Sequence, residues 1–172
     1  GAEKISDFTD PSDRATAFIF ADGAGAVIIG ESTEPGIGPV EWGSDADSRD
    51  AIQMNPSWIE VRNTETQLTK ADVKWPNISQ EGQKVFRWAV FSMSKAALKA
   101  LDAAGLTVND IDAFIPHQAN VRIIETMAKE MDMPDSVVIA DDIRKNGNTS
   151  AASIPLAMDA LLEIGRASCR ER

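Results

Sequence analysis

One cysteine and one histidine stand in a chain of 172 residues. The single thiol, Cys169, excludes an intramolecular disulfide and any metal site built from several thiolates, and makes a reducing cytoplasm the expected compartment. No apolar run approaches the roughly 20 residues that cross a bilayer, so no membrane partner is expected. Gly1-Ala2-Glu3-Lys4 leads into no apolar stretch and does not read as a signal peptide. Positive charge is scarce: a formal net charge of -10 sets the chain against a phosphate backbone at long range. Nucleic acid is therefore not an expected partner. A small basic patch for one anionic ligand is still compatible with that balance.

Hydrophobic residues make up 43% and charged residues 26%, an ordinary globular composition. The length suits one domain, able to bury about 70% of its unfolded surface. Phe18-Ile19-Phe20 and Val27-Ile28-Ile29 flank Asp22-Gly23-Ala24-Gly25, which predicts a β-hairpin with positive φ at the turn. A nucleotide-binding glycine loop would need a helix after Gly25, and no helical pattern follows. The breaker cluster Glu34-Pro35-Gly36-Ile37-Gly38-Pro39 marks the best boundary between two units. Residues 40–77 read as a strand followed by a long surface excursion.

Beyond it, strands and helices alternate, which predicts an α/β layered fold. Val85, Trp88, Ala89, Ala96, Ala97, Ala100, Leu101 and Ala104 recur at helical spacing over Gly82 to Ala104, with Gly105 as the stop. A short strand is expected at 113–116, a helix at Val121 to Met131 held short by Pro134, a strand at 137–140, and a helix at 152–164 closed by Gly165.

His117 falls just past the end of the first of these strands, where ligands bind in open α/β sheets. Gln118 and Asn120 lie between it and the next helix, whose amino terminus presents free backbone donors. Asn148, in Asn146-Gly147-Asn148-Thr149-Ser150, occupies a second strand-to-helix connection. Each has a plain structural alternative: a lone His is often structural, and Asn, Thr and Ser commonly cap helices.

Pro116-His117-Gln118-Ala119-Asn120-Val121-Arg122-Ile123-Ile124 and Gly147-Asn148-Thr149-Ser150-Ala151-Ala152-Ser153-Ile154-Pro155 resemble, in order and separation, the two signature loops of the ketoacyl-acyl-carrier-protein synthase III branch of the thiolase superfamily. The segments at 10–14, 20–27 and 82–87 resemble further parts of that family, so the likeness runs from about residue 7 to residue 166.

The resemblance implies a thiolase-like layered α/β fold: residues 1–34 as the closing hairpin of the first half-domain, 35–165 as most of the second half without its last strands, and 166–172 as a tail of doubtful nativeness. Such enzymes condense an acyl-CoA primer with malonyl-acyl-carrier-protein, releasing carbon dioxide and starting a fatty-acid chain. They form homodimers and need no cofactor, coenzyme A entering as the substrate thioester. By similarity His117 and Asn148 belong to a Cys-His-Asn set and stabilise the enolate oxygen left by decarboxylation. The same likeness puts Arg14, Gly82, Arg87 and Asn120 at coenzyme A, Arg87 and Arg122 at the acidic carrier protein, and Ile19 and Phe20 in the acyl pocket.

The nucleophilic Cys is not among these motifs, since Cys169 lies in the irregular tail. The expectation is a chain inactive by itself. A non-catalytic module binding coenzyme A or carrier protein, and a purely structural domain in which His117 and Asn148 cap helices, are the competing readings.

Overall fold

The computed structural model describes residues 1–64, 74–163 and 165. The predicted layering is present at its centre, where two short strands, β5 (Ala113–Phe114) and β6 (Val138–Ile139), pair in parallel. Parallel strands need a crossover, and α4 (Val121–Glu130) supplies it.

Side-chain alternation on β5 feeds two cores. On one face Phe114 packs with Val90, Ile123 and Met127. On the other, Ala113, Ile115 and Val138 pack against Ala140, Ala157 and Leu161, the last two on α6 (Ser153–Glu163). Helix, sheet and helix thus form three layers, and the loops leaving the two strands fall at a common edge.

The long helix is continuous from Gly82 to Ala103, as α2 (Gly82–Trp88), a wider π turn over Ala89–Met93, and α3 (Ser94–Ala103). The π turn packs its Val90 into the core that α4 completes. Gly105 ends the helix at φ +70°, with the Gly105 N–H donating to the Asp102 carbonyl and the Leu106 N–H to the Leu101 carbonyl. That is the Schellman stop expected of glycine there. The end of α4 uses the same device with Asp132 at φ +51°, so the helix closes before Pro134 is reached.

The amino-terminal expectation needs correction. The two apolar runs around residues 22–25 do not pair with each other. Instead β2 (Gly23–Ala24) pairs antiparallel with β1 (Ala2–Glu3), residues 16–19 form turns, and Val27, Ile28 and Ile29 are exposed and outside any strand. Neither Gly23 nor Gly25 has positive φ. Their value is close approach: a Cβ on Gly23 would come within 2.8 Å of Thr149 Cγ2, and one on Gly25 within 2.8 Å of Pro155 Cγ. The glycines let this segment lie against the start of α6.

The region from 40 onward also differs from its reading. Residues 40–45 form no strand, a 3-10 turn covers Ala46–Ala51, and β3 (Ile52–Asn55) pairs antiparallel with β4 (Asn77–Gln80). Between them lies α1 (Trp58–Thr64), whose Trp58 meets Trp75 edge to face at 5.4 Å. The excursion is thus pinned at its base. Ile164, Cys169 and the 166–172 tail lie outside the described residues.

Candidate functional site

Two strand-to-helix connections build the site. The first leaves β5 through Pro116, His117 and Gln118 and enters α4 at Asn120, whose carboxamide oxygen accepts the Arg122 N–H at 2.9 Å. Asn120 is therefore a helix cap, and its amide nitrogen stays outside that bond. The second leaves β6, turns through α5 (Ile143–Asn146), and passes Gly147 and Asn148 before α6.

Gly147 stands at φ +70° with Ala21 close by: a Cβ there would meet the Ala21 Cβ at 3.0 Å. This tight turn delivers Asn148 beside residues 19–21. The Asn148 N–H donates to the Ile19 carbonyl and the Ala21 N–H donates to the Asn148 carbonyl, both at 2.9 Å. Ile19 and Phe20, expected at an acyl pocket, are thus immediate neighbours of Asn148.

Buried Gln118 and Ser153 join the two connections. Gln118 Nε2 donates to the Pro116 carbonyl at 2.9 Å, and its Oε1 accepts the Ile143 N–H at 3.2 Å. The Ser153 hydroxyl lies 2.6 Å from His117 Nδ1 and accepts the Gln118 N–H at 3.2 Å. The inner atom of each candidate residue is engaged: Nδ1 of His117 by Ser153, and Oδ1 of Asn148 by the Ser150 N–H at 2.9 Å. The outer atoms, Nε2 of His117 and Nδ2 of Asn148, have no hydrogen-bond partner among the described residues.

His117 is exposed as a residue, yet the packing behind its ring desolvates the imidazole and lowers its pKa from the usual 6.5. The neutral ring dominates at pH 7. A neutral imidazole and a carboxamide, each tied behind and free in front, can donate to a developing oxyanion.

Arg14, Arg87 and Arg122 are exposed and have no carboxylate partner among the described residues, and Gly82, also exposed, has open space where a side chain would project. An apolar groove of about 350 Å³, bordered by Leu101, Leu106, Ile111, Phe114, Met131 and Met133, contains none of the candidate residues.

Sequence reading placed Gln118 beside His117 without giving it a role, and gave Ser153 none. Both stood inside the two loop motifs, but nothing local marks a Ser at a helix start as the partner of a His in a separate loop.

The layering of helix, sheet and helix, with two loops leaving the strand ends at one edge, is that of a thiolase-like fold. The profile of the carboxyl-terminal part of 3-oxoacyl-[acyl-carrier-protein] synthase III matches residues 101–171, and the companion 3-oxoacyl-[acyl-carrier-protein] synthase III profile matches residues 1–46. The chain belongs to the 3-oxoacyl-[acyl-carrier-protein] synthase III family.

It is 56% identical over 171 residues to a beta-ketoacyl-[acyl-carrier-protein] synthase III of Streptomyces coelicolor, covering 97% of this chain and 50% of that protein. A counterpart in Mycobacteroides abscessus is 46% identical, with 97% and 48% covered. Among solved structures, the priming beta-ketosynthase of the R1128 polyketide pathway superposes with a TM-score of 0.88 at 42% identity, covering 96% of this chain and 48% of that one. The synthase III of Pseudomonas aeruginosa superposes at 0.77 with 31% identity, covering 98% and 49%. The chain spans about half the length of the curated relatives it matches. Among the described residues no helix is long and apolar enough to cross a membrane.

Proposed function

We propose that this chain is the carboxyl-terminal part of an acyltransferase that condenses an acyl-CoA primer with malonyl-acyl-carrier-protein, the decarboxylative step that starts fatty-acid synthesis. One observation carries the reading: His117 Nε2 and Asn148 Nδ2 are the free outer atoms of two side chains anchored from behind. Loss of carbon dioxide from the malonyl group leaves an enolate oxygen. His117 and Asn148 donate to that oxygen, Asn148 without any titration of its own. The acyl chain of the primer lies along Ile19 and Phe20. Arg14, Arg87, Asn120 and the open backbone at Gly82 receive coenzyme A, and Arg87 and Arg122 receive the acidic carrier protein. Unpaired guanidiniums suit phosphate and carboxylate partners because their donors form a fixed fork.

The nucleophilic thiol belongs to the half of the enzyme that this chain does not span, because Cys169 lies outside both loops. Residues 1–34 close the first half-domain and 35–165 form most of the second. The complete enzyme is a cytoplasmic homodimer that uses no cofactor beyond its substrates, and neither nucleic acid nor membrane is a partner. This chain alone does not catalyse condensation. Acyl-enzyme formed on the purified chain would overturn that statement.

The deciding experiment replaces His117 and Asn148 singly with Ala in the complete enzyme and follows decarboxylation of malonyl-acyl-carrier-protein. Each loss is expected to slow it on the order of 100–1,000-fold. Unchanged decarboxylation would leave the two residues with a structural role only. A second reading, a binding module without chemistry, draws on the unpaired Arg14, Arg87 and Arg122. It predicts that binding of coenzyme A survives both Ala substitutions while no turnover is found in the complete protein.

A further inference from the structure

We propose that Ser153 is a positioning residue that sets the tautomer of His117, donating its hydroxyl proton to Nδ1 and so holding the ring's one proton on Nε2. Three hydrogen-bonding facts lead there. Ser153 is buried, and its oxygen already accepts the Gln118 N–H at 3.2 Å. The same oxygen lies 2.6 Å from His117 Nδ1, well inside hydrogen-bond range. No other acceptor for the hydroxyl proton lies within reach among the described residues.

If Nδ1 carried the proton and donated to Ser153, the oxygen would accept twice and its own buried O–H would be orphaned. Buried polar hydrogens are rarely left so. With the proton on Nε2 every group is used: the Gln118 N–H gives to Oγ, the Ser153 O–H gives to Nδ1, and Nε2–H faces outward. Desolvation of the ring, which disfavours the imidazolium, keeps the assignment in force at neutral pH.

The consequence for chemistry rests on the reading of His117 as an oxyanion donor. Free imidazole exchanges its proton between two nitrogens, and only one of those forms has a donor at the open edge. Ser153 removes the other form. The neutral ring then meets the reacting oxygen only as a donor, and its one acceptor site is already occupied. Gln118 contributes by orienting the hydroxyl, since its N–H fills one lone pair of the serine.

The test exploits the fact that His117 is the chain's only histidine. Uniform 15N labelling of this chain therefore yields one imidazole alongside the backbone amides. At pH 7.5 wild type is expected to show a pyridine-type Nδ1 and a pyrrole-type Nε2, without averaging. In Ser153→Ala the two signals are expected to move toward each other as the tautomers begin to exchange, while the backbone amide spectrum of the same sample reports that the fold is kept. A protonated Nδ1 in wild type overturns the proposal, and this holds even if the variant does not fold. So does an unchanged ring spectrum in a folded variant. The spectrum requires no turnover, so its failure is distinct from failure of the donor role, which His117→Ala in the complete enzyme measures. In that enzyme Ser153→Ala is expected to lower the decarboxylation rate about tenfold with KM for the malonyl thioester unchanged.

Discussion

Asn148 and Phe20 face each other across a parallel β-bridge, although they lie in segments far apart along the chain. The bridge fixes the Asn148 backbone, and the Ser150 N–H fixes its side-chain oxygen. The amide nitrogen is thereby aimed by two independent constraints before any ligand arrives. Such preorganisation is what makes a donor effective against developing charge.

Gly147 is the hinge of this arrangement, so Gly147→Ala is expected to destabilise the fold. A side chain at φ +70° and ψ −169°, a backbone region essentially reserved for glycine, costs about 1–3 kcal/mol, and the new Cβ would press on the Ala21 side chain. The shift should appear as a lower denaturant midpoint with an unchanged slope. A midpoint equal to that of wild type would mean that the turn does not need glycine.

The lowered pKa of His117 has a definite sign. Its neutral form is favoured in the folded chain, so folding stability linked to this residue is fully present above about pH 6.5. It declines as pH falls through that value, because the unfolded chain then binds a proton that the folded chain resists. Imidazole titration followed by NMR should give a midpoint below 6.5 in the folded chain and near 6.5 in denaturant. A folded midpoint at or above 6.5 would contradict the desolvation of the ring.

Asn120 has two possible duties that one pair of variants separates. As a helix cap it accepts the Arg122 N–H, and Asn120→Ala should cost roughly 1 kcal/mol of stability. Asn120→Asp preserves the cap, so its stability should match wild type. If the amide nitrogen also meets coenzyme A, the Asp variant should still bind that ligand more weakly, as calorimetry on the complete enzyme would read.

How much of this was visible in the residues depends on where each signal resides. The long helix was legible because Val85, Trp88, Ala89 and their followers repeat locally and Gly105 closes them with its own φ. His117 and Asn148 were legible because two long loop motifs carried them. The glycines at 23 and 25 misled, since Asp-Gly announces a turn whether the glycine bends the chain or merely admits a neighbour. Here the neighbours are Thr149 and Pro155, far along the chain, and no local pattern names them. The β3–β4 pair was missed because its short strands, Ile52–Asn55 and Asn77–Gln80, mix polar and apolar residues on partly exposed faces. Ser153 was overlooked for the same reason of distance: its partner lies 36 residues earlier.

Gln118 carries the last prediction. Its side chain is wholly buried, gives its amide hydrogens to the carbonyls of Pro116 at 2.9 Å and Ala140 at 3.4 Å, and accepts the Ile143 N–H at 3.2 Å. It therefore ties the His117 connection to the one that leads to Asn148. Gln118→Leu has nearly the same size but leaves those backbone groups unsatisfied in the interior, at about 1–3 kcal/mol for each group that finds no water. The loss should exceed that of Asn120→Ala, whose orphaned N–H sits at an exposed helix end and can turn to solvent. Gln118→Glu offers the sharper comparison. It keeps the acceptor for Ile143 while placing a charge in a buried site whose hydrogen-bond partners among the described residues are all uncharged, so it too should destabilise, and more strongly as pH rises and the carboxylate ionises. Urea unfolding of the three variants at pH 5 and pH 8 measures both effects. If Gln118→Leu proved as stable as wild type, the two connections would be held together by apolar packing alone.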